Sequence, residues 1–407
     1  MSNQTEYTLL RDHEAECAIS ACVDKLKTTI ATEVCQSDMR ALVLLGGYGK
    51  GEGGVHKVAG KYRPHNNFDL LLVTREISKR KRESIHRRLA AKLEALSEAF
   101  MVGIDLSIMN QWQLELMPTR VLWYDMREGH KTLLGDRHFI PSINHERNKI
   151  PAWDVRNLMV NRGSLLLINL LCIQQNERSE QLDKLVVKHT MKAIIGYGDA
   201  LLFCLGDYHW SYQEKQKRLL NHAEIDLKFK KLYEQAMSFR RTPTYNYYLA
   251  NDLSGWHAEV MQQLEKVHLR CESLRLGLPD LDWDGYLNKA LFASLFERGF
   301  TLKAIARKIL NAFSVKHGHL PASVPTLNKI SYWLSDKESL LPLVFPYIAF
   351  NPKMHADQEQ LTKFLASHFG TQPTASIGEV IRAYLKNWAY TFDRNLDSVL
   401  LKNNIAL

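Results

Sequence analysis

No apolar run in this sequence approaches the ~20 residues that a membrane-spanning helix needs. The longest stretches, Leu165–Ile173, which Asn169 interrupts, and Ala200–Leu205, fall well short. Met1–Glu14 mixes polar and acidic residues around no apolar centre, so no signal peptide is expected and a cytoplasmic location is. The six cysteines (Cys17, Cys22, Cys35, Cys172, Cys204 and Cys271) form no C-x-x-C pair. That argues against a zinc site and a disulfide framework, and for buried free thiols. Internal repeats and low-complexity segments are missing too, which excludes a solenoid and a largely disordered chain.

What is present is ordinary globular material: 407 residues, 45% hydrophobic and 24% charged. A chain of this length predicts two or more domains, each with its own core. The net charge is +9. It divides as 22 basic against 19 acidic residues over 1–150, a surplus of +3, and 31 against 25 over 151–407, a surplus of +6. A spread surplus of this size permits a phosphate-bearing partner without requiring one.

Hydrophobic spacing divides the chain near residue 150. Residues 8–35 have a helical apolar face. The short apolar runs Ala41–Leu45, Phe68–Val73 and Met101–Met109 read as strands, and residues 78–100 as a second helix that begins with Lys79, Arg80, Lys81 and Arg82. This is a small α/β sheet domain over 1–150. From 151 to 407 the apolar residues recur three and four apart, in segments near 154–175, 182–206, 213–236, 254–274, 286–313, 325–348, 357–369 and 377–401. Pro151, Pro243, Pro279, Pro321, Pro325 and Pro373 separate them or stand at their starts. A large all-α domain is predicted there, with a possible subdivision near 275–325. Trp153, Trp210, Trp256, Trp333 and Trp388 are expected in cores.

Six of the 21 glycines fall in Gly46–Gly54, directly after the first predicted strand. Such a turn lets backbone approach a ligand closely and aims N–H groups at phosphate oxygens. A Walker A loop fails, because Leu44 stands where its first glycine belongs and Gly51 where its hydroxyl residue belongs. A dinucleotide fingerprint fits Gly49, Gly51 and Gly54, but Val55–Pro64 has no helical face to follow it. A third design fits better: a Gly-Gly turn closes one strand, and acids on two further strands converge to hold divalent metal. Asp69 leads into Leu-Leu-Leu-Val, Asp105 lies within Val-Gly-Ile-Asp-Leu-Ser-Ile, and alternation places Asn67 on the same face as Asp69.

This combination resembles the DNA polymerase β-type nucleotidyltransferase superfamily. The glycine segment is similar to the G-G-Y-G-R-G-E signature of bacterial protein-modifying uridylyl- and adenylyltransferases. Gly46, Gly47, Gly49, Gly51 and Glu52 match it, with Lys50 in place of its arginine. Lys192–Tyr212 also looks like the helical half of bacterial nucleotidyltransferase-domain proteins. The resemblance implies a nucleotidyltransferase-like sheet domain followed by a helical domain. It implies transfer of a nucleoside monophosphate from an NTP to a hydroxyl, with Mg²⁺ and release of pyrophosphate. The acceptor is left open among protein, small molecule and RNA. Gly46, Gly47, Gly49, Lys50, Gly51 and Lys192 would contact the nucleotide, and Asp69, Asp105 and Asn67 the metal, with Asp69 and Asp105 catalytic.

One departure matters. The superfamily pattern at Asn67-Phe68-Asp69 is acid-x-acid, and asparagine is a poorer Mg²⁺ ligand than a carboxylate. The alternative reading is therefore a degenerate nucleotidyltransferase that binds a nucleotide or a partner without turnover. Glu52 is read either as a further ligand or as a brace for the glycine loop. Lys188 and Tyr208 are possible triphosphate contacts, Tyr124–Asp136 is read as a hairpin-like connector, and His130 as structural.

Overall fold

A computed structural model describes residues 6–175 and 178–297, together with 305–306, 308–310, 326–335, 337–350, 372, 376–392, 396 and 400. The helical segment expected at 357–369 and the breakers Pro321, Pro325 and Pro373 lie outside them. The chain forms two compact units, one from residues 1–154 and 209–244, the other from 155–208 and 245–407.

The first unit begins with α1 (His13–Glu33), whose Asp12 side chain accepts from the Ala15 N–H and so starts the helix five residues later than periodicity suggests. Strand β1 (Met39–Leu44) runs into a short helix, α2 (Gly46–Lys50). A hairpin of β2 (Val55–Val58) and β3 (Lys61–Pro64) follows, and then β4 (Phe68–Thr74). Helix α3 (Lys79–Phe100), capped by Ser78, leads to β5 (Ile104–Asn110). Then come α4 (Gln111–Glu115), α5 (Val121–Glu128), β6 (Lys131–Gly135) and α6 (Phe139–Ser142). The segment expected to be a hairpin-like connector is thus the end of α5 followed by a sheet strand. The sheet order is β5-β4-β1-β6, with β4 and β5 parallel and β1 antiparallel to both β4 and β6.

Alternation gives this sheet two covered faces. Leu42, Leu44, Phe68, Leu70 and Leu72 pack with Ile19, Val23, Leu26, Ile85 and Leu89 of α1 and α3. Ala41, Val43, Leu71 and Val73 pack on the other side with Leu114, Met126, Phe139 and Ile140 of α4, α5 and α6. Asp69 shares the second face with Leu71 and Val73, at the end of the strand where the core stops.

The second unit is helical: α7 (Ala152–Ile173, from Val155 onward) and α8 (Glu180–Cys204). The next two helices, α9 (Tyr212–Asn221) and α10 (Leu227–Arg241), belong to the first unit. The second unit resumes with α11 (Asn246–Leu249), α12 (Leu253–Leu276), α13 (Trp283–Ser294), α14 (Thr326–Leu334), α15 (Lys337–Ala349) and α16 (Ile377–Thr391). Asn169, the polar break in an apolar run, is fully buried. Its amide donates to Val186 O and Thr190 Oγ1 at 3.1 and 3.0 Å, and its Oδ1 lies 3.1 Å from His189 Nδ1. It joins α7 to α8 through satisfied polar contacts. No described helix is long and apolar enough to cross a membrane.

Two expectations about burial need correcting. Cys17 and Cys35 are exposed, whereas Cys172 and Cys271 are buried. Cys17 falls outside the buried stripe that Ile19, Val23, Leu26 and Ile30 form along α1. Of the five tryptophans assigned to cores only Trp388 is fully buried, and Trp333 is half exposed.

Candidate functional site

The site is built where β1 ends and β4 and β5 begin. Asp69 and Asp105 are direct register partners on parallel neighbours, so their side chains leave the same face of the sheet. Asp69 is half-buried and Asp105 exposed. Asn67, just before β4, directs its amide nitrogen to Asp105 Oδ2 at 3.3 Å. Gly103 makes room for that amide, since a Cβ there would come within 2.8 Å of Asn67 Nδ2. Register thus puts Asp69 and Asp105 side by side on one face, and the Asn67 amide reaches Asp105.

The glycine segment is a helical turn, not an open loop. Gly46 starts α2 with φ +63°, and Leu45 N–H donates to Asp69 O at 2.8 Å. A Cβ on Gly46 would fall 2.1 Å from Asp69 Oδ2, so only glycine lets this carboxylate lie against the turn. A Cβ on Gly47 would fall 2.7 Å from a guanidinium nitrogen of Arg240 on α10. The other glycines serve packing: Gly49 lies against Leu44 O, and Gly51 caps α2 next to Glu6 O.

Tyr48 explains how the remainder of the segment is fixed. Its buried hydroxyl donates to Gly54 O at 2.8 Å and accepts from the N–H groups of His65 and Asn66 at 3.1 and 3.3 Å. Its ring stacks on Phe68, with centroids 4.7 Å apart. Burial pushes the phenol well above its ordinary value, so it remains a neutral hydrogen-bonding post. Asn66 Oδ1 accepts from Gly54 N–H at 2.6 Å and closes the loop.

Lys50 and Glu52 turn inward. The Lys50 ammonium lies 2.6 Å from Asp125 Oδ2 and donates to Trp210 O at 2.7 Å, with its side chain only 4% exposed. Glu52 accepts from Ser211 Oγ at 2.5 Å and from Tyr212 N–H at 2.6 Å, so it caps α9. The geometry thus gives Glu52 the bracing role and commits Lys50 to an internal ion pair. Lys192, the remaining residue assigned to the nucleotide, is exposed on α8 in the second unit. Tyr208 is buried there, and burial pulls the Lys188 ammonium below its ordinary value. His130 is half-buried, and burial lowers its pKa.

Sequence reasoning misses the aromatic and cationic cluster that α9 and α10 bring to this turn. Arg240 Cζ lies 3.8 Å from the centroid of the Tyr212 ring, and the Lys50 and Lys215 ammonium groups each lie 4.5 Å from it. Only the run Phe239-Arg240-Arg241 could have pointed to it, and nothing in that run separates one arginine from the other.

Among the described residues no group of three or more His, Cys, Asp or Glu side chains is placed to hold a metal ion. Two carboxylates are the donor number by which Mg²⁺ shared with substrate phosphates is held, as opposed to a cation caged by protein alone. Asp69 and Asp105 are two carboxylates in direct register, with Asn67 on Asp105.

No family model and no curated protein matches this chain. Among solved structures it is similar to a spectinomycin adenyltransferase from Enterococcus faecialis determined with ATP and spectinomycin. The TM-score is 0.39 at 14% identity, covering 62% of this chain and 98% of that one.

Proposed function

We propose that this chain is a nucleotidyltransferase that moves a nucleoside monophosphate from an NTP to an acceptor hydroxyl. The observation that carries the reading is the register pair Asp69 and Asp105, with the Asp69 carboxylate seated against Gly46 at the turn that ends β1. Backbone N–H groups of the Gly46–Gly47 turn hold phosphate oxygens. Asp69 and Asp105 would hold Mg²⁺, whose chemistry there would be to neutralise charge on the triphosphate and favour loss of the acceptor proton. Asp105, the more exposed of the two, accepts the proton of the acceptor hydroxyl as its oxygen bonds to the α-phosphorus and pyrophosphate leaves. The acceptor is a protein, a small molecule or an RNA.

A second reading is favoured by one contact. The Asn67 amide donates to Asp105 at 3.3 Å, which supplies a neutral partner where a third carboxylate would demand a cation. On this reading the site binds a nucleotide as a regulatory module and does not turn it over.

Titration calorimetry with ATP, GTP, CTP and UTP, in Mg²⁺ and in EDTA, combined with a pyrophosphate-release assay, tests both. Metal-dependent binding of a nucleotide with turnover that Asp69→Asn and Asp105→Asn abolish supports the transferase. Binding without turnover across acceptor classes supports the regulatory module. No binding of any nucleotide overturns both.

A further inference from the structure

Arg240 stands out among the charged side chains of the first unit. Lys50 has Asp125, Arg40 has Asp136, Arg88 and Lys92 share Glu33, and Arg218 has Glu214. Among the described residues no carboxylate pairs with Arg240, and its buried Nε has no hydrogen-bond partner. The side chain is nevertheless held firmly. Its guanidinium lies against the Tyr212 ring, and its backbone carbonyl packs so closely on Gly54 that a Cβ there would fall 2.0 Å away. Phe239 beside it is buried against His65, at a centroid distance of 5.7 Å. A long cationic side chain has thus been immobilised, which costs rotamer entropy, without receiving the anion that normally offsets the cost.

Its position suggests which anion is missing. The guanidinium nitrogen lies at Gly47 while the Asp69 carboxylate lies at Gly46, so consecutive residues of one turn carry a cation on one side and a carboxylate on the other. Around the Tyr212 ring three cations gather, Arg240, Lys50 and Lys215, of which Lys50 is held to Asp125. A guanidinium presents a planar fork of donors that fits two oxygens of one phosphate.

We infer that Arg240 is a phosphate-binding residue that grips the polyphosphate of the bound nucleotide beside Gly47, with Tyr212 as its platform. The inference rests on the nucleotide reading above and adds a contact from a part of the chain about 190 residues beyond the glycine turn, as the numbers of Gly47 and Arg240 show.

The test uses the full-length protein and the variants Arg240→Gln, Arg240→Lys and, as a control, the exposed neighbour Arg241→Gln. Each is titrated with inorganic tripolyphosphate, with the four NTPs and with the matching nucleosides, and its unfolding midpoint is measured. Expected are NTP and tripolyphosphate affinities weakened about 10- to 100-fold in Arg240→Gln, partly restored in Arg240→Lys, unchanged in Arg241→Gln, and nucleoside affinity unaltered. If Arg240→Gln binds NTP and tripolyphosphate as the unmodified protein does, the inference is overturned and the nucleotide reading stands. A lower unfolding midpoint with unchanged affinities overturns it equally, since Arg240 is then only a packing group. If the unmodified protein binds tripolyphosphate, but no nucleotide, and Arg240→Gln loses it, the phosphate contact stands and the nucleotide reading falls. If the unmodified protein binds neither, both fall.

Discussion

Glu52 and Ser211, 159 residues apart in sequence, share a hydrogen bond of 2.5 Å that ties the glycine turn to the residue capping a helix contributed much later by the chain. The same carboxylate accepts from the next backbone N–H, at Tyr212, so one side chain holds the first turn of α9 at the residue whose ring Arg240 lies against. Glu52→Ala leaves the Ser211 hydroxyl and the Tyr212 N–H without this acceptor. The expected cost is about 1–3 kcal/mol of stability in urea titration, with Glu52→Gln, which keeps one acceptor oxygen, closer to the unmodified protein. An unchanged midpoint for the alanine variant would show that this contact carries no stability.

Asn67→Asp adds a third carboxylate within reach of Asp105. Without metal, like charges repel and the amide contact is lost, so the variant should unfold earlier than the unmodified protein in EDTA. Mg²⁺ should then raise its melting temperature by more than it raises that of the unmodified protein. Thermal unfolding across a Mg²⁺ series reads this directly. A variant indifferent to Mg²⁺ would count against this face of the sheet as a cation site.

Among the described residues the second unit carries three buried histidines kept neutral. Burial, with Lys192 and Lys188 nearby, pulls His189 down to about 3, burial pulls His257 down to about 4, and burial, outweighing Glu272, pulls His268 down to about 4. The unfolded chain binds these protons near pH 6.5, and the folded chain only near pH 3–4. Stability is therefore complete above about pH 6.5 and falls as the pH drops toward 4, at up to about 1.4 kcal/mol per pH unit for each histidine. Denaturant midpoints at pH 7.5, 6, 5 and 4 should show this slope, and His257→Gln should flatten it. A flat profile over that range would contradict the burial.

Arg275 in α12 lies between two carboxylates. It donates to Glu272 at 2.6 and 2.8 Å and also contacts Glu297, which Arg156 reaches at 2.9 Å, while the Tyr286 hydroxyl donates to Glu272 at 2.9 Å. Two cations and two carboxylates balance in a buried network. Burial pushes Glu272 up, but Arg275, Arg156 and His268 together bring it down to about 2. Arg275→Met leaves the buried Glu272 short of its cation and should cost about 3–5 kcal/mol. Arg275→Met combined with Glu272→Leu should cost less than the single change, because no charge is then stranded. Chemical denaturation of the two variants decides it, and equal losses would argue against coupling between them.

The parts of the fold that can be read from sequence are those with long or flanked patterns. Helix α3 has 22 residues of regular spacing behind a serine cap, and β4 has an apolar run with turn residues before it. Strand β6 is illegible because its first four residues are all half-buried, which erases the alternation that marks a strand. Helices α9 and α10 are legible as helical material, but an amphipathic face says that something covers it and not which partner does. Asp69 and Asp105 draw the eye in the sequence because carboxylates near the starts of apolar strands are conspicuous, and both do lie there. Lys50 reads as a phosphate contact because its internal partner Asp125 is 75 residues away, on a segment whose helix the sequence does not announce. Arg240 escapes for the same reason: only the folded chain brings it to Gly47.

The first unit is written in two pieces, residues 1–154 and 209–244, with part of the second unit between them. During synthesis the sheet and its carboxylates emerge early, yet the helix capped by Glu52 and the guanidinium beside Gly47 follow only after a further 90 residues, the span from 155 to 244. At ribosomal speeds that is roughly 5–20 s during which the glycine turn is exposed without its later neighbours. Order of translation thus builds in a delay: the nascent chain carries its acids well before it carries the groups that complete them.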